Sequence, residues 1–404
     1  MRPHWCLNMI HNKSADNIEI VLIGNSPEEK LSGGARIDTW IRILKISSIK
    51  INLLAHYTYS DKLKIEYKNI DELLRTTTIY FPAHWPRFLK AFLLILFISF
   101  YSWKSSKTAQ LMLYGGGTAL LLLPMIVVSK LRNKPIIFDY LDIEWEKIPE
   151  FAYRYLMKNI TCIFAISHYL VDKANSYGCK TVVYVPAFVD TNLFRVDITA
   201  REKMRNGWGV KNDDIIIGYA GALSHSAGIH ILLQSVRNLS KQYPELSLFI
   251  LGTKQIPGEG DEIPELIKEL DLESRVTFIP PVTHEEVPRF LSSCDILCSP
   301  QIDCPVNRAS NPIKVVEYLS MGLPTICSSI GEVPRIIEDE INGFLTKPGD
   351  VKNLENKLGE VILNPNFSKE IGKNGRNTAR EKYSYEAVGD TIGRVIRKIV
   401  NTKK

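Results

Sequence analysis

Short runs of apolar, mostly β-branched residues recur along the chain and alternate with stretches of helical periodicity. The first run, at 17–24, has the sequence NIEIVLIG and is typical of a strand buried on both faces of a parallel sheet. Similar runs predict strands at 49–54, 109–114, 134–138, 160–166 and 181–185. Strands that alternate with helices at this spacing predict a parallel α/β sheet.

The same pattern starts again after residue 210. A predicted strand at 214–219 ends in a glycine turn, and a predicted helix follows at 229–243. Further strands are predicted at 246–252, 276–278, 296–299, 324–327 and 343–345. We therefore predict two doubly wound α/β domains, 1–195 and 196–375, with a C-terminal helical segment, 376–404, that packs back on the first. Because parallel sheets bind ligands beyond the carboxyl ends of their strands, two facing domains predict a cleft between them.

Composition narrows the class of protein. The chain has 404 residues, of which 45% are hydrophobic and 23% charged, and this excludes wholesale disorder, collagen and small disulfide scaffolds. Its seven cysteines form no CxxC pair, and the first residues, 1–17, are polar without a secretory apolar core. We therefore expect a reduced, cytoplasmic setting. The absence of GxGxxG and P-loop motifs disfavours a dinucleotide dehydrogenase and a P-loop nucleotidase.

The net charge of +6 is unevenly distributed. Between Glu72 and Asp139 the chain has eight Lys and Arg residues and no acidic residue. Such a segment favours an anionic partner, which is phospholipid, a lipid-linked phosphate or nucleic acid. Nucleic acid is disfavoured because the basic residues alternate with Leu and Ile rather than with stacking aromatic and polar groups.

An apolar segment lies inside this basic window. Residues 91–103 carry no charge, basic residues flank them, and Trp85 and Trp103 stand near the two ends. Because a bilayer-spanning helix needs about 20 residues, the segment is too short to span. We expect the 85–107 segment to lie on a membrane surface, and the alternative is a buried helix of the first domain. A second uncharged window, 108–129, is interrupted by glycines and Pro124 and predicts a strand, a turn and a helix.

The segment 310–326, SNPIKVVEYLSMGLPTI, is the richest in candidate chemistry. Pro312 favours a helix start and Gly322 a helix end, so Lys314 and Glu317 lie three residues apart on one face of its first turns. A helix N-terminus next to a lysine suits a phosphate group. The Glu317 carboxylate can accept hydrogen bonds from both hydroxyls of a ribose. The alternative is an ordinary surface ion pair between the two side chains.

Other stretches agree with one family in order and spacing: 33–35 (GGA), 165–170 (AISHYL), 185–194 (VPAFVDTNLF), 219–228 (YAGALSHSAG) and 331–344, which contains GEVP and NGF. Together with the helix segment they resemble glycosyltransferase family 4. Members of that family are retaining nucleotide-sugar transferases with the GT-B fold, in which two Rossmann-like domains face each other across a cleft. The resemblance covers residues 18–385 and implies an acceptor-binding first domain and a donor-binding second domain.

The resemblance also implies roles for individual residues. Glu317 would bind the donor ribose, and Lys314 would face the diphosphate. The implied donor-binding residues are Gly33, Gly34, Gly221, Ser226, Asn311, Lys314 and Glu317. The implied catalytic residues are Lys314, Arg308 and, on the acceptor side, Asp142. No DxD motif is present, and the family implies neither a metal nor a cofactor.

Four positions depart from the family pattern: Leu141 replaces a histidine, Ala222 an arginine, Ala227 a lysine and Ala309 a glutamate. Lys314 and Arg308 are then expected to supply the positive charge for the phosphates. We expect a retaining, hexosyltransferase-type enzyme that moves a sugar to a lipid-linked or glycan acceptor, peripherally bound at the cytoplasmic face of the membrane. The three alanines favour an alternative, a non-catalytic GT-B subunit that scaffolds a partner transferase.

Overall fold

The chain forms two sheets, each flanked by helices. The computed structural model describes residues 18–26, 32–115, 121–143, 149–211, 213–253, 260–280 and 282–402, apart from the side chains of 32–35, 57–59 and 253. The polar first residues, Cys6 and the glycines 116–117 therefore lie outside the described residues.

The first sheet has eight strands in the order β3-β4-β2-β1-β5-β6-β7-β8. They are β1 (Glu19–Asn25), β2 (Lys50–Ser60), β3 (Lys64–Asn69), β4 (Leu74–Pro82), β5 (Leu111–Tyr114), β6 (Ile136–Tyr140), β7 (Cys162–Ala165) and β8 (Val182–Tyr184). All neighbouring strands pair in parallel except β3, which runs antiparallel to β4 at the edge of the sheet.

The second sheet has six strands, all parallel, in the order β11-β10-β9-β12-β13-β14. They are β9 (Ile215–Ala222), β10 (Leu246–Thr253), β11 (Val276–Ile279), β12 (Ile296–Ser299), β13 (Thr325–Ser328) and β14 (Phe344–Thr346). This strand order reverses beside β9, so the sheet is doubly wound, as predicted.

Helices connect the strands and cover both sheets. Those of the first half are α1 (Ser32–Ile46), α2 (Arg87–Ser105), α3 (Leu122–Arg132), α4 (Glu150–Lys158), α5 (His168–Ser176) and α6 (Ile198–Gly207). Those of the second half are α7 (Ile229–Leu239), α8 (Ile263–Glu269), α9 (Val287–Ser292), α10 (Pro305–Ala309), α11 (Ile313–Met321), α12 (Val333–Ile336), α13 (Val351–Leu363), α14 (Pro365–Lys382) and α15 (Tyr385–Thr402).

The predicted strands are confirmed, two other predictions need correction, and two strands were not predicted. Strand β9 continues through its glycines to Ala222, where a turn was predicted. Gly33 and Gly34 lie in the first turn of α1 rather than in a loop. Strands β3 and β4 were not predicted: β3 is a largely exposed edge strand without an apolar run, and β4 is mostly buried but begins with the polar residues RTTT after Leu74.

The first sheet is buried on both faces. Val21 and Ile23 of β1 point to one core, which includes residues of α2, α3, α4 and α5. Ile20 and Leu22 point to the other core, formed with α1 and α15. Because successive side chains of a strand point to opposite faces, such a strand must be apolar at every position, which is the pattern of the sequence.

Helix α15 lies on α1 in the first domain, although it comes from the end of the chain. Ile392 and Ile396 are buried there, and each such side chain contributes about 1.5–3 kcal/mol when fully buried. The Ser47 hydroxyl donates to the Gly389 carbonyl at 3.2 Å, and Arg397 donates to the Ser47 carbonyl at 2.9 Å. Residues 376–382 belong to α14, in which Arg376 donates to the Ser320 carbonyl of α11. The domain bounds 1–195, 196–375 and 376–404 stay predictions.

Residues that follow the carboxyl ends of strands meet across the boundary between the two sheets. Asn311, which comes after β12, donates to the carbonyl of Ile166, which comes after β7, at 2.8 Å. Glu332, which comes after β13, accepts from the backbone N–H of His168 at 2.6 Å. The carboxyl ends of the two sheets therefore border one crevice between the domains.

Candidate active site

Lys314 and Gly221 come together at the edge of the second sheet. Lys314 lies in the first turn of α11, and its Nζ is 3.2 Å from the hydroxyl of Tyr219 on β9. Gly221 has φ +151°, and a Cβ there would stand only 3.0 Å from Lys314 Nζ. A side chain at 221 would therefore displace the lysine, so glycine lets the backbone and the ammonium group share the space.

Helix α11 also holds the end of β9 in place. The Tyr318 hydroxyl donates to the carbonyl of Ala220 at 3.0 Å and accepts from the N–H of Ala220 at 2.7 Å. Burial raises the pKa of Tyr318 well above its ordinary value, so the phenol stays neutral and can donate. Two residues of the motif KxxEY therefore contact the end of β9: Lys314 lies beside Gly221, and Tyr318 is hydrogen-bonded to the backbone of Ala220.

Glu317 lies one turn further along α11 and is nearly buried, with 8% of its side chain exposed. Its Oε1 is 2.7 Å from Nε2 of His284, which begins a one-turn 3₁₀ helix at His284–Glu286. The His284 ring packs against Phe194 at 5.2 Å between centroids and leaves about half of its own side chain, 51%, exposed. The carboxylate that was predicted to bind ribose is therefore occupied by an imidazole.

The contact with Glu317 raises the pKa of His284 above its ordinary value, mainly through the hydrogen bond and against the opposing effect of burial. The next residue, Glu285, lies 3.9 Å from Arg42 of α1 in the first domain. The Glu317–His284 pair therefore lies close to the boundary between the domains.

Ser226 belongs to a second one-turn 3₁₀ helix, His225–Ala227, which follows β9. Its hydroxyl is 2.9 Å from that of Ser224, and its carbonyl accepts from the side-chain amide of Asn307 at 2.8 Å. Gly228 ends this turn at φ +75°, where a Cβ would stand 1.8 Å from the Pro300 carbonyl oxygen. The loops after β9 and β12 are therefore held together.

Asn311 is buried at the domain boundary. Its Nδ2 donates to the Ile166 carbonyl, and its Oδ1 is buried without a hydrogen-bond partner in the part of the chain that the structure describes. A buried acceptor without a partner is uncommon, and a ligand hydroxyl or N–H group at this position would satisfy it.

Arg308 does not join Lys314. Its guanidinium makes a two-point contact with the Asp303 carboxylate, at 2.6 and 2.9 Å, and 61% of its side chain is exposed. The ion pair lowers the pKa of Asp303, so the two groups stay charged together at neutral pH. The role of Arg308 at the diphosphate stays a prediction that would require the ion pair to open.

The predicted residues of the first domain lie around the other side of the crevice. Asp142 follows β6 by two residues, and its Oδ1 accepts from the N–H of Ile143 at 2.6 Å. Gly33 and Gly34 form the helical N-terminus of α1, which offers backbone N–H groups rather than a loop. Their roles toward acceptor and donor stay predictions.

The alanines that replace family residues are accommodated in different ways. Ala309 is buried and packs into a core cluster of the first domain, so this position helps to join the two domains. Ala227 is buried in the core of the second domain, whereas Ala222 is the last residue of β9 and half-buried. Within the described residues, Lys314 is therefore the cation that lies against Gly221 at the end of β9.

Two polar contacts near the crevice were not predicted. Glu332 is nearly fully buried and accepts from both the backbone N–H and Nδ1 of His168, the latter at 2.8 Å. Asp139, buried at the end of β6, accepts from Arg36 at 2.8 and 2.9 Å and from Trp40 at 2.6 Å. No spacing in the sequence connects these partners, and the only signal was an acidic residue inside or just after an apolar strand.

In the residues that the structure describes, no three His, Cys, Asp or Glu side chains come close enough to hold a metal ion. The site instead combines an ammonium group, a helix N-terminus and a buried carboxylate. These groups match a diphosphate and a vicinal diol, which together are the features of a nucleoside diphosphate.

Two Rossmann-like α/β domains that face each other across a crevice define the GT-B fold of glycosyltransferases. Residues 200–378, which form most of the second domain, match the family model Glycosyl transferases group 1. The matched stretch contains Gly221, Lys314 and Glu317.

Known proteins are similar to this chain in sequence or in structure. Spore coat protein SA of Bacillus subtilis is 28% identical over 207 residues, 49% of this chain, and the chain spans about half, 52%, of that relative. The sucrose-phosphate synthase structure from Thermosynechococcus elongatus has a TM-score of 0.77 at 18% identity and covers 96% of this chain and 100% of its own. Anabaena HepE in complex with UDP and glucose has a TM-score of 0.73 at 20% identity, over 95% and 100% of the two chains. At these identities the two structural likenesses establish the fold.

Proposed function

We propose that the protein is a retaining glycosyltransferase of family 4 that moves a sugar from a nucleotide-sugar donor to a lipid-linked or glycan acceptor at the cytoplasmic face of a membrane. The observation that carries the proposal is the grouping of Lys314, Gly221 and Glu317 at the start of α11. This grouping lies in the domain that matches the group 1 transferases.

In the proposed reaction the bond between the anomeric carbon and the diphosphate oxygen breaks, and a bond from that carbon to an acceptor oxygen forms on the same face. The departing diphosphate carries the new negative charge and can receive the proton of the acceptor hydroxyl. Lys314 and the N–H groups at the start of α11 stabilise this charge as it develops. The free acceptor Oδ1 of Asn311 lies at the same boundary and is assigned to a donor hydroxyl.

Glu317 is assigned to the ribose hydroxyls, which would take the place that His284 occupies at its carboxylate. The complex of HepE with UDP supports uridine diphosphate as the first ligand to measure. Calorimetric titration of the wild type with UDP, GDP and 2′,3′-dideoxyuridine diphosphate then separates recognition of the ribose from recognition of the base.

Replacing Glu317 by Gln tests this assignment. Because a hydrogen bond to a charged group contributes about 1.5–3 kcal/mol, the variant should bind UDP at least about tenfold more weakly. It should bind the dideoxy analogue as the wild type does, since that ligand has no hydroxyls for the carboxylate. An equal loss for both ligands would count against the ribose assignment, and transfer from a panel of nucleotide sugars would test the reaction itself.

Helix α2 supports the membrane part of the proposal. The segment was predicted to be too short to span a bilayer, but the helix continues beyond the uncharged residues on both sides. Among the helices that the structure describes, α2 is the one long and apolar enough to cross a bilayer by length and composition, and only 17% of its 18-residue window is buried. Every third or fourth residue is apolar and exposed, and Phe88 reaches 76% exposure. The exposed side chains of this helix are Phe88, Phe92, Leu96, Phe100 and Trp103.

The neighbouring helices extend this surface. We define the three-helix apolar face as those five residues of α2 together with Leu123, Val127 and Leu131 of α3 and Phe151 and Tyr155 of α4, all of which are exposed. Arg132 of α3 stacks on Trp103 at 3.6 Å, and Lys130 lies over Tyr155 at 5.5 Å, so cations border the apolar side chains. Apolar side chains bordered by basic residues are typical of proteins that lie on an anionic membrane surface.

A surface position fits α2 better than a spanning one. Leu94, Ile98 and Ser102 are buried against the first sheet, and the Tyr101 hydroxyl donates to the Leu53 carbonyl at 3.3 Å. A spanning helix would have to leave the sheet and expose this core. Helix α2 therefore has two opposite sides, one packed on the first sheet and the other available to a lipid surface.

The second candidate function is the non-catalytic scaffold. It is favoured by the burial of Ala309 in the first-domain core, where the family often has a glutamate, and by the outward ion pair of Arg308. In that case the Glu317→Gln variant would support normal glycan synthesis in cells at normal protein level, whereas the proposed enzyme would lose it.

A further inference from the structure

A cleft of about 290 Å³ opens between the C-terminal half of α2 and the β3–β4 edge of the first sheet. No carboxylate lines it, whereas three cations do: Lys68, Arg75 and Lys104. Pockets that bury a whole drug-sized ligand measure about 300–1,000 Å³, so this cleft is large enough for a polar headgroup and too small for an entire lipid.

The cleft is separate from the candidate active site. Asn52 and Arg75, which line it, are register partners near the amino ends of β2 and β4. Ser60 ends β2 eight residues beyond Asn52, a distance of roughly 25 Å at about 3.3 Å per residue. The crevice between the domains borders the carboxyl ends of the strands, so the cleft lies at the opposite end of the sheet.

Two of the three cations have no partner of opposite charge. Arg75 and Lys104 are exposed, and their side chains make no ion pair or hydrogen bond within the residues that the structure describes. Lys68 is 3.0 Å from Glu66, a carboxylate that it shares with Lys64. Two cations on one cleft without a counterion leave a net positive charge that favours an anionic ligand.

The other walls of the cleft are divided between apolar and polar side chains. Phe97 and Phe100 of α2 and Ile65 of β3 form an apolar wall, and Asn52 and Thr76 provide polar groups at the sheet. Phe100 also belongs to the three-helix apolar face, so the cleft opens at the border of that face. A ligand with an anionic head and an apolar chain therefore matches the cleft and the adjacent surface together.

We propose that this cleft binds the phosphodiester headgroup of an anionic phospholipid, with Arg75 and Lys104 on the phosphate and the first acyl carbons along Phe97 and Phe100. The proposal rests on the membrane part of the proposed function and is independent of the sugar-transfer chemistry. It gives the protein a lipid contact at a second point, away from the crevice, and so fixes its orientation on the membrane.

The test is calorimetric titration of the whole protein with monomeric dihexanoyl phosphatidylglycerol, comparing the wild type with Arg75→Gln/Lys104→Gln. Because each basic residue near an anionic lipid contributes about 1 kcal/mol, binding should weaken about 25-fold. The matched control, Lys369→Gln/Arg380→Gln, removes the same two charges from exposed positions of α14 and should change binding less than twofold. The charge-preserving variant Arg75→Lys/Lys104→Arg should retain most of the affinity.

Inorganic phosphate and dihexanoyl phosphatidylcholine identify the source of the anion. The proposal expects phosphate to compete only at much higher concentration and the neutral lipid to bind weakly. Equal competition by phosphate would make the cleft a general anion site and overturn the proposal. Equal weakening by the control variant would show non-specific attraction and would overturn it too.

Vesicles separate this proposal from the membrane proposal on which it rests. If wild-type protein does not bind vesicles that contain phosphatidylglycerol, the membrane part of the proposed function is wrong, and the cleft proposal falls with it. In the other outcome the wild type binds these vesicles, and Arg75→Gln/Lys104→Gln binds the vesicles and the soluble lipid as tightly as the wild type does. In that case only the cleft proposal is wrong.

Discussion

The candidate donor site in the second domain and the three-helix apolar face in the first domain are built in opposite ways. In the donor site nearly every polar group has a partner: Lys314 with Tyr219, Glu317 with His284, and Tyr318 with the backbone of Ala220. On the three-helix apolar face, large side chains such as Phe92 and Leu96 are exposed to solvent.

This difference has a physical cause. A site that recognises a polar ligand needs fixed donors and acceptors, and fixing them requires hydrogen bonds to neighbours. A surface that meets lipid needs only apolar area and nearby cations, because the lipid is fluid and imposes no register. Changes in the donor site should therefore affect catalysis and specificity, and changes in the apolar face should affect partitioning.

The largest effect is expected for Lys314→Met, which keeps the side-chain length and removes the charge. Since loss of one group that stabilises developing charge typically lowers the rate about 100- to 1,000-fold, kcat should fall by that factor with a smaller change in KM. Steady-state kinetics with the preferred nucleotide sugar measures it. Lys373→Met, at an exposed position of α14, is the control, and equal kinetics of the two variants would contradict the assignment.

A smaller effect is expected for the double change Phe92→Asn/Leu96→Asn on α2. Complete burial of one such side chain in lipid would contribute about 1.5–3 kcal/mol to the free energy of membrane binding. Loss of part of this contribution at two positions should lower vesicle partitioning at least about tenfold. The free energy of unfolding should change by less than about 1 kcal/mol, because both side chains are exposed.

The second domain offers the matched control, Leu363→Asn/Phe367→Asn, which removes two similar exposed residues. Co-sedimentation with vesicles measures both variants. If they lose partitioning equally, the apolar face has no special role. If the α2 variant changes the oligomeric state in size-exclusion chromatography instead, the face is a protein interface.

The smallest effect is expected from the His284–Glu317 pair and depends on pH. The pKa of His284 is raised in the folded protein, so the pair stabilises the fold below about pH 6.5, and this contribution is lost as the pH rises through the folded-state pKa. Because the His284 side chain is half-exposed, solvent screens the pair and its contribution is at most about 1 kcal/mol. The ribose and protonated His284 compete for the Glu317 carboxylate. UDP affinity should therefore increase about two- to fivefold as the pH rises and His284 loses its proton.

His284→Asn should remove this part of the pH dependence, and His84→Asn, at an exposed position of the first domain, should leave it unchanged. Both variants and the wild type are titrated with UDP between pH 5.5 and 8.5. At each pH the phosphate of UDP is ionised to the same extent for all three proteins, so a difference between their profiles comes from the protein. Identical pH profiles for wild type and His284→Asn would show that the imidazole does not compete with the nucleotide.

Much of the fold could be predicted, because buried parallel strands are apolar at every position and punctuated by glycine or proline. The strands β1, β10 and β12 were located within two residues. Strand β3 was missed because an exposed edge strand needs no apolar pattern, and β4 was missed because polar residues occupy its first half.

The candidate site could be predicted only in part. The helix that carries Lys314 and Glu317, with Pro312 before it and Gly322 after it, followed from local residue preferences. The partners of these residues come from positions 33 and 95 residues away, so no local pattern indicates them. His284 begins a one-turn 3₁₀ helix, and its contact with Glu317 was not predicted.

The order of residues along the chain was enough to locate two α/β domains, an apolar basic segment and a lysine–glutamate helix, since each depends on periodicity and on residues a few positions apart. The pairing of Glu317 with His284, the outward turn of Arg308 toward Asp303 and the joining of α2, α3 and α4 into one surface came from packing. Each of these depends on which side chains meet after distant segments have docked. Local preferences do not encode that outcome, because hydrogen bonds and apolar contacts act only over a few ångströms.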